Sequence, residues 1–186
     1  QMLVVDGTPG NDTIKIVPGD RWCEVKAIVN GVSSPSFRPT SRIMVFGYAG
    51  DDTITVDPRV TFKSWLIGGL GNDNLKAGGG PALLMGNEGN DTLSGGYQRD
   101  LLIGGDGEDS LAGSYSADLL VGGSTRFDAQ PAALGDMFAQ WLWTRKGSYY
   151  SRHWCTPART NHRDVLKDTD VIDDGKKDTL NGGPGK

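Results

Sequence analysis

The feature that most constrains the fold of this chain is a repeat of nine residues. From Gly68 onward the sequence divides, without an insertion, into GGLGNDNLK, AGGGPALLM, GNEGNDTLS, GGYQRDLLI, GGDGEDSLA and GSYSADLLV. Three outlying copies begin at Gly7, Gly47 and Asp173. In these nine full blocks the eighth position is always Ile or Leu, and the sixth is Asp in every block except the one with Ala82. A period this regular predicts a repeat architecture, in which each unit packs only against its neighbours.

Each block combines a tight turn with a short strand. The first six positions are rich in Gly, Asn and Asp, which favour turns because glycine reaches positive φ without a steric penalty. The last three positions form a strand whose middle residue, the aliphatic eighth position, points inward. Two blocks complete one coil, so successive coils stack with a period of 18 residues. The chain is therefore predicted to be all-β, with a thin core that only several stacked coils can bury.

These blocks resemble the RTX, or haemolysin-type, calcium-binding nonapeptide repeat. The resemblance covers roughly residues 7–15, 47–55 and 68–123, and it returns at 173–186. It implies a right-handed parallel β-roll, secretion, and Ca²⁺ held between adjacent turns. The layout, with an N-terminal GTPGND segment and a late helical insertion, looks like the RTX segments of large bacterial surface or secreted proteins.

With two blocks per coil, the loops separate into two stacks. The first, here called the consensus stack, contains the loops closest to the repeat pattern, which are 68–73, 86–91 and 104–109. The second, the degenerate stack, has lost glycines and contains 77–82, 95–100 and 113–118. The loops expected to lie above the consensus stack are 47–52 and, one level higher, 7–12.

The aspartates of the consensus stack predict a bound cation. They recur at the spacing between coils, about 4.8 Å. At ~5 Å and an effective dielectric constant of ~20, neighbouring carboxylates repel by roughly 3 kcal/mol per pair, so the ladder needs a counter-ion. Carboxylate and carbonyl oxygens without His or Cys select Ca²⁺ over transition metals, and Mg²⁺ is the weaker candidate because it needs a smaller octahedral shell. Ions are expected between loops 68–73 and 86–91, and between 86–91 and 104–109.

The candidate calcium-site residues are loop aspartates and glycines of the consensus stack and its two upper loops: Asp12, Asp52, Gly68, Gly69, Gly71, Asp73, Gly86, Gly89, Asp91, Gly104, Gly107 and Asp109. In the degenerate stack Asp100 and Asp118 keep the sixth position. Two interpretations of these two residues stay open, as calcium ligands or as turn-capping aspartates without an ion. Asp178, in the block that begins at Asp173, is a further candidate ligand.

The strands that follow the two stacks differ in their outer faces. After the consensus loops the triplets NLK, TLS and SLA are apolar only in the middle, whereas LLM, LLI and LLV follow the degenerate loops. Alternation along these strands predicts an outward apolar face of Leu83, Met85, Leu101, Ile103, Leu119 and Val121. An amphipathic helix predicted from Asp128 to about Arg145, with Phe138 and Trp141 among its apolar residues, is expected to cover this face.

Outside the main array, Trp22–Val29 and Val32–Phe37 flank Asn30-Gly31, a two-residue hairpin signal, and this hairpin is expected to replace one side of a coil. The chain accordingly divides into four parts. These are the N-terminal strands, hairpin and first coils (1–67), the core roll (68–123), a helix and loop insertion (124–163), and the start of a further, truncated roll segment (164–186). A further block, GGPGK from Gly182, stops before its expected aspartate, so we expect the chain to be a fragment of a longer polypeptide.

Composition and motifs argue against several other classes of protein. A net charge of −4 with clustered carboxylates is unlike a basic nucleic-acid-binding surface. No apolar run reaches the ~18 residues of a membrane span. His153, Cys155 and His162 could suggest a metal or nucleophile site, but they lack the spacing of ligands, so the chain is not expected to be an enzyme.

These observations lead to a calcium-binding structural module of a larger bacterial protein that is secreted or displayed on the cell surface. It is expected to fold when calcium becomes available outside the cell, and thereby to assist export. Its expected partners are calcium ions and the rest of the parent polypeptide, while surface or secretion partners are not identified by the sequence. Two alternatives stay open: a cell-surface adhesion repeat, and the accessory roll of a secreted hydrolase whose catalytic domain lies elsewhere.

Overall fold

The computed structural model of this chain describes residues 1–126, 128–130, 133–134, 171–172 and 174–182. The strands in these residues, in chain order, are β1 (Leu3–Asp6), β2 (Thr13–Pro18), β3 (Val25–Val29), β4 (Val32–Ser33), β5 (Ile43–Ala49), β6 (Thr53–Val56), β7 (Ser64–Leu70), β8 (Asn74–Lys76), β9 (Ala82–Glu88), β10 (Thr92–Ser94), β11 (Leu101–Asp106), β12 (Ser110–Ala112), β13 (Leu119–Val121), β14 (Ser124–Thr125), β15 (Val171–Ile172) and β16 (Thr179–Asn181).

The strands build two facing sheets because each turn carries the backbone from one sheet to the other. Sheet A has the order β1-β5-β7-β9-β11-β13, and sheet B has the order β16-β12-β10-β8-β6-β2-β3-β4. All pairs in sheet A, and all pairs in sheet B from β16 to β2, are parallel. Leu84 lies opposite Leu102, and Leu93 lies opposite Leu111. This offset of 18 residues confirms that two blocks form one coil of a parallel β-roll.

The aliphatic eighth positions form the core between the sheets. Seven of them are fully buried there: Ile14, Ile54, Leu75, Leu84, Leu93, Leu102 and Leu111. Burying one such side chain contributes about 1.5–3 kcal/mol, so the core gains stability with every coil that is added. Leu120 is only partly buried, and Leu180 is 38% exposed because β16 is the outermost strand of sheet B among the described residues.

Every strand of sheet A except β13 is longer than the three residues predicted for each block. β7 and β9 each contain seven residues and continue through the first three positions of the following consensus loop. Gly69 pairs with Asn87 and Leu70 with Glu88 along this extension. The loops therefore continue the hydrogen-bonding ladder of the sheet, because stacked loops present their N–H and C=O groups to one another along the roll axis.

The outer face of sheet A forms a second apolar cluster, separate from the core. Its buried members are Trp65, Leu83, Met85, Leu101, Ile103, Val121 and Leu134, with Leu119 partly buried against them. The predicted outward apolar face therefore exists and is covered. Leu134 belongs to the segment after the roll, so that segment contributes at least one side chain to the cover.

The predicted C-terminal helix from Asp128 to about Arg145 lies outside the described residues, apart from 128–130 and 133–134. The N–H groups of Ala133 and Leu134 both donate to the carbonyl of Gln130. No complete helix is present in the described part of the chain, so the structure does not support a helical insertion.

The prediction that an N-terminal hairpin replaces one side of a coil is wrong. β3 and β4 are antiparallel and are joined by Asn30 and Gly31, whose φ angles of 51° and 82° suit a two-residue turn. However, β3 also lies antiparallel against β2, which already belongs to a complete coil. The two strands thus extend sheet B at its edge, because the unpaired N–H and C=O groups of β2 can be satisfied by a strand of either direction.

Candidate metal centre

The consensus loops share a left-handed backbone at two positions. The fourth position is glycine in each, and the φ values of Gly50, Gly71, Gly89 and Gly107 lie between 105° and 142°. Only glycine adopts these angles without strain. The second position also has positive φ, at 133° in Gly69 for example. The repeated glycines predicted as site residues are therefore required by the loop backbone itself.

Glycine also allows the loops to stack closely. A Cβ atom on Gly69 would overlap the carbonyl oxygen of Tyr48, and one on Gly107 would overlap the carbonyl oxygen of Gly89, well inside the 3.0 Å that real Cβ contacts keep. A Cβ atom on Gly89 would likewise overlap the carbonyl oxygen of Gly71. The carbonyl groups of successive coils therefore lie in rows along this side of the roll.

The sixth-position aspartates form a hydrogen-bonded ladder that runs along the roll. In each step the backbone N–H of one aspartate donates to Oδ1 of the aspartate in the next coil. The steps are Asp12 to Asp52 (2.7 Å), Asp52 to Asp73 (2.8 Å), Asp73 to Asp91 (2.7 Å), Asp91 to Asp109 (2.8 Å) and Asp109 to Asp178 (3.0 Å). The structure thus brings the predicted aspartates into one continuous column.

The second oxygen of these aspartates is left without a donor. Oδ2 of Asp52, Asp73, Asp91 and Asp109 is buried and accepts no hydrogen bond. Each of these oxygens faces the first glycine of its own loop, where a Cβ would overlap it. At Gly86, for example, the same Cβ would lie 2.5 Å from the carbonyl oxygen of Gly104 in the next coil. Gly68, Gly86 and Gly104 therefore leave room in which a carboxylate and a carbonyl converge.

Burial disfavours the ionised form of these carboxyl groups. It raises the pKa of Asp73 and of Asp109 to about 7, and that of Asp91 to about 6. The pKa of Asp52 is also raised, mainly by burial. From the sequence, repulsion between carboxylates is the expected reason for a counter-ion. Repulsion from Asp91 and Asp52 does raise the pKa of Asp73, but less than burial does.

These residues fit a hard divalent cation. The described residues contain no group of three or more His, Cys, Asp or Glu side chains that could hold a metal. The consensus stack instead offers one carboxylate per coil with backbone carbonyls beside it. Such an all-oxygen set suits Ca²⁺, which accepts 6–8 oxygens in flexible geometry, better than zinc or copper. The assignment of individual ligands stays a prediction.

Asp12 differs from the aspartates below it. Its Oδ2 accepts the N–H of Thr8 (2.5 Å), and its Oδ1 accepts the side-chain amide of Asn30 (2.5 Å). Burial raises the pKa of Asp12, but the hydrogen bonds from Thr8 and Asn30 outweigh it and the net pKa is lowered. Protein donors thus satisfy this carboxylate, which makes it a weaker candidate ligand than the sequence suggested.

The degenerate stack has a different geometry. In its loops, as far as they are described, only Ser114 has a positive φ. Asp100 is satisfied by backbone donors, because its Oδ1 accepts the N–H of Ala82 (2.7 Å) and its Oδ2 accepts that of Gly96 (2.6 Å). This arrangement favours the turn-capping interpretation for Asp100. Asp118 accepts the N–H of Asp100 (2.9 Å), but its Oδ2 is buried without a donor, and burial raises its pKa to about 8.

A second ladder, at the fifth loop position, was missed by the sequence analysis. There the side-chain oxygen of one coil accepts the N–H of the next, in the opposite direction to the aspartate ladder. Its steps are Asn11 to Asp51, Asp51 to Asn72, Asn72 to Asn90, and Asn90 to Glu108, at 2.7–2.9 Å. The signal was the Asn or Asp that precedes Asp12, Asp52, Asp73 and Asp91. In the repeat pattern alone, these residues are explained as turn formers.

Comparison with known proteins supports the repeat assignment. Residues 64–81, 85–114 and 94–124 match the family model described as RTX calcium-binding nonapeptide repeat (4 copies). No curated protein and no solved structure matches the chain. In the part of the chain that the structure describes, no helix has the length and hydropathy needed to cross a membrane.

Proposed function

We propose that this chain, whose residues 64–81 and 85–124 match the RTX calcium-binding nonapeptide repeat, is a calcium-dependent folding module. The larger protein to which it belongs would be secreted or displayed on the surface of a bacterium. One observation carries this proposal. Four consecutive sixth-position aspartates each bury one carboxylate oxygen without a donor: Asp52 of loop 47–52, and Asp73, Asp91 and Asp109 of the consensus stack. Calcium is the counter-ion that this all-oxygen column is built to accept.

The energies support a role for calcium in folding. A buried polar atom without a partner costs about 1–3 kcal/mol, and more when it is charged. Several such oxygens therefore remove much of the roughly 5–15 kcal/mol by which a domain is stable. At free calcium tenfold above the dissociation constant, each bound ion restores about 1.4 kcal/mol. Without calcium at neutral pH, the roll is expected to be largely unfolded.

This dependence suits a protein that leaves the cell. The chain would stay unfolded at low cytosolic calcium and would fold where extracellular calcium is high, which favours movement in one direction. The proposed role is structural rather than catalytic, because the buried carboxylates order the loops of successive coils. The adhesion-repeat and hydrolase-accessory alternatives differ in what the rest of the polypeptide does, and calcium-dependent folding of this segment is common to both.

Calcium titration of the metal-free chain tests the proposal. We expect circular dichroism at pH 8 to change from disordered to β-structure as calcium is added, and calorimetry to count more than one ion per chain. Asp91→Asn should lower the calcium affinity of the sites beside loop 86–91. The unfolding free energy should fall by roughly 1.4 kcal/mol for each ion lost. The matched control is Glu88→Gln, which removes the same charge from an exposed position of the same loop.

The control variant should titrate like the unmodified chain. A native β-structure signal in excess chelator at pH 8 would overturn the proposal. So would equal calcium affinity in Asp91→Asn and Glu88→Gln, because the buried oxygen would then have no special role.

A further inference from the structure

The last described loop of the consensus stack is made from two distant segments of the chain. β13 ends at Val121, and the first glycine of the next loop is therefore Gly122, but the sixth-position aspartate that completes this loop is Asp178. A Cβ on Gly122 would overlap Oδ2 of Asp178, just as one on Gly86 would overlap Oδ2 of Asp91. Gly122 and Asp178 thus approach each other as the first glycine and the sixth-position aspartate do within each contiguous loop.

The returning segment also joins the roll in register. Asp178 accepts the N–H of Asp109 through Oδ1 (3.0 Å), and Thr179 donates its N–H to the carbonyl of Asp109 (2.7 Å). β16 then pairs in parallel with β12, with Leu180 opposite Leu111. Sheet B therefore continues directly from β12 to β16, although residues 113–178 intervene in the sequence.

The intervening segment leaves and re-enters the roll through two paired strands. β14 and β15 are antiparallel, with Ser124 opposite Ile172 and Thr125 opposite Val171. We refer to β14 and β15 as the neck. The neck is short, and its strands are separated from the split loop by only a few residues at each end.

The split loop meets loop 104–109 through the same oxygens as the contiguous loop pairs. Asp109 is 2% exposed, and its Oδ2 has no hydrogen-bond donor. A Cβ on Gly104 would overlap both this oxygen and the carbonyl oxygen of Gly122. The returning segment adds Asp174, whose Oδ2 accepts the N–H of Gly107 (2.8 Å). Between contiguous loops, the aspartate Oδ2 of one coil converges with the first-glycine carbonyl oxygen of the next. Oδ2 of Asp109 and the carbonyl oxygen of Gly122 converge in the same way where the two ends of the insertion meet.

We propose that Ca²⁺ binds between loop 104–109 and the split loop of Gly122 and Asp178, and that this ion clasps the two ends of the insertion to the roll. The inference rests on the proposed function, since it requires that the consensus stack binds calcium. It adds a site outside the matched repeats, because Asp178 lies beyond residue 124. Calcium at this site controls whether the neck stays closed, and so couples the inserted segment to the folding of the roll.

Asp178→Asn tests the clasp, because asparagine keeps the oxygen that accepts the N–H of Asp109 but removes the charge. Gly122→Ala is the second variant, since its methyl group displaces the Asp178 carboxylate without changing charge. Asp106→Asn is the control, because Asp106 is an exposed carboxylate of loop 104–109. Calorimetry counts the bound ions, and circular dichroism shows that the roll is folded. Trypsin cleavage after the exposed Arg126 reports opening of the neck.

In saturating calcium, we expect both clasp variants to bind one ion fewer than the unmodified chain and to keep its β-structure signal. Cleavage after Arg126 should be about tenfold faster, as expected when a ligand present at ten times its dissociation constant loses its site. The control should match the unmodified chain in both measurements. An unchanged ion count, or unchanged cleavage despite a lost ion, would overturn the clasp. In either case Asp91→Asn still weakens the contiguous sites if the proposed function is correct, whereas a chain that binds no calcium would refute both.

Discussion

At the scale of single residues, the decisive property is which oxygen of each aspartate has a donor. The sixth-position aspartates of the consensus stack and of its two upper loops all accept a hydrogen bond at Oδ1 from a backbone or side-chain donor, so this oxygen orders the column. Oδ2 is left without a donor in four of them. In the proposed calcium-bound form, hydrogen bonding and metal binding would therefore use different atoms of the same carboxylate, so an ion could bind without breaking the ladder.

The raised pKa values predict opposite pH dependences with and without calcium. The folded pKa values of Asp73 and Asp109, about 7, lie above the ordinary value of 3.8. Protonation therefore stabilises the metal-free roll fully below about pH 4, and this stabilisation is lost as the pH rises through 6 to 7. Calcium requires the ionised form, so it competes with protons. From pH 5 to pH 8 the unfolding free energy should fall in metal-free buffer and rise in saturating calcium.

The fraction of β-structure in the metal-free chain, measured by circular dichroism at pH 5 and pH 8, reports the first trend. Urea unfolding in saturating calcium at the same two pH values reports the second. Groups with a lowered pKa, such as Asp12, lose their contribution only below about pH 4 and so do not affect this window. A metal-free chain that becomes more stable from pH 5 to pH 8 would contradict the assignment of burial as the cause of the shifts.

At the scale of elements, the edge of sheet B shows how protein donors satisfy the aspartate of the first coil. Everywhere else in the consensus ladder, Oδ1 accepts an N–H from the preceding aspartate. Asp12 belongs to the first coil, and Asn30, in the turn between β3 and β4, provides the donor instead. The same side chain accepts the N–H of Thr13 through its Oδ1 (2.8 Å). The antiparallel strands therefore act as a cap for both the sheet edge and the aspartate column.

Asn30→Asp isolates this capping interaction. Aspartate suits the turn and still accepts the N–H of Thr13, but it replaces the amide donor with a carboxylate that faces Asp12. We expect a loss of about 1–3 kcal/mol in the unfolding free energy at saturating calcium, because a part-buried charge loses its donor. Asn11→Asp, which adds the same charge at an exposed position of loop 7–12, should change stability by less than about 0.5 kcal/mol.

Urea unfolding of both variants gives the comparison. If Asn30→Asp were as stable as Asn11→Asp, or if it bound an additional calcium ion, the amide of Asn30 would not be the cap of the column.

At the scale of the whole molecule, the roll is close to one-dimensional. Each coil contacts the coil above and the coil below, and the aspartate ladder, the core and the loop carbonyls all follow the same axis. In such proteins stability is approximately a sum of terms for single coils and for neighbouring pairs. The two sides of the roll have divided their roles, since the consensus loops present oxygens and sheet A presents an apolar outer face.

Pairs of aspartate substitutions should reveal this one-dimensional coupling. Asp73→Asn with Asp91→Asn alters neighbouring coils that share a site, so the two effects should be non-additive by about 0.5–3 kcal/mol. Asp52→Asn with Asp109→Asn alters coils that are not neighbours, and these effects should add to within about 0.5 kcal/mol. Urea unfolding of the four single and two double variants in saturating calcium measures both couplings. Equal coupling in both pairs would show that the sites communicate over the whole array instead.

The sequence by itself determined the coil, its register, the inward aliphatic residues, the outward apolar face and the column of buried aspartates. All of these depend on contacts between residues nine or eighteen positions apart, and a period in the sequence displays such contacts directly. Only the tertiary structure decided which carboxylate oxygens lack a donor. Asn30 satisfies Asp12, and Gly122 meets Asp178 across an insertion. These contacts join segments with no fixed spacing, because hydrogen-bond donors are supplied wherever the chain folds back on itself.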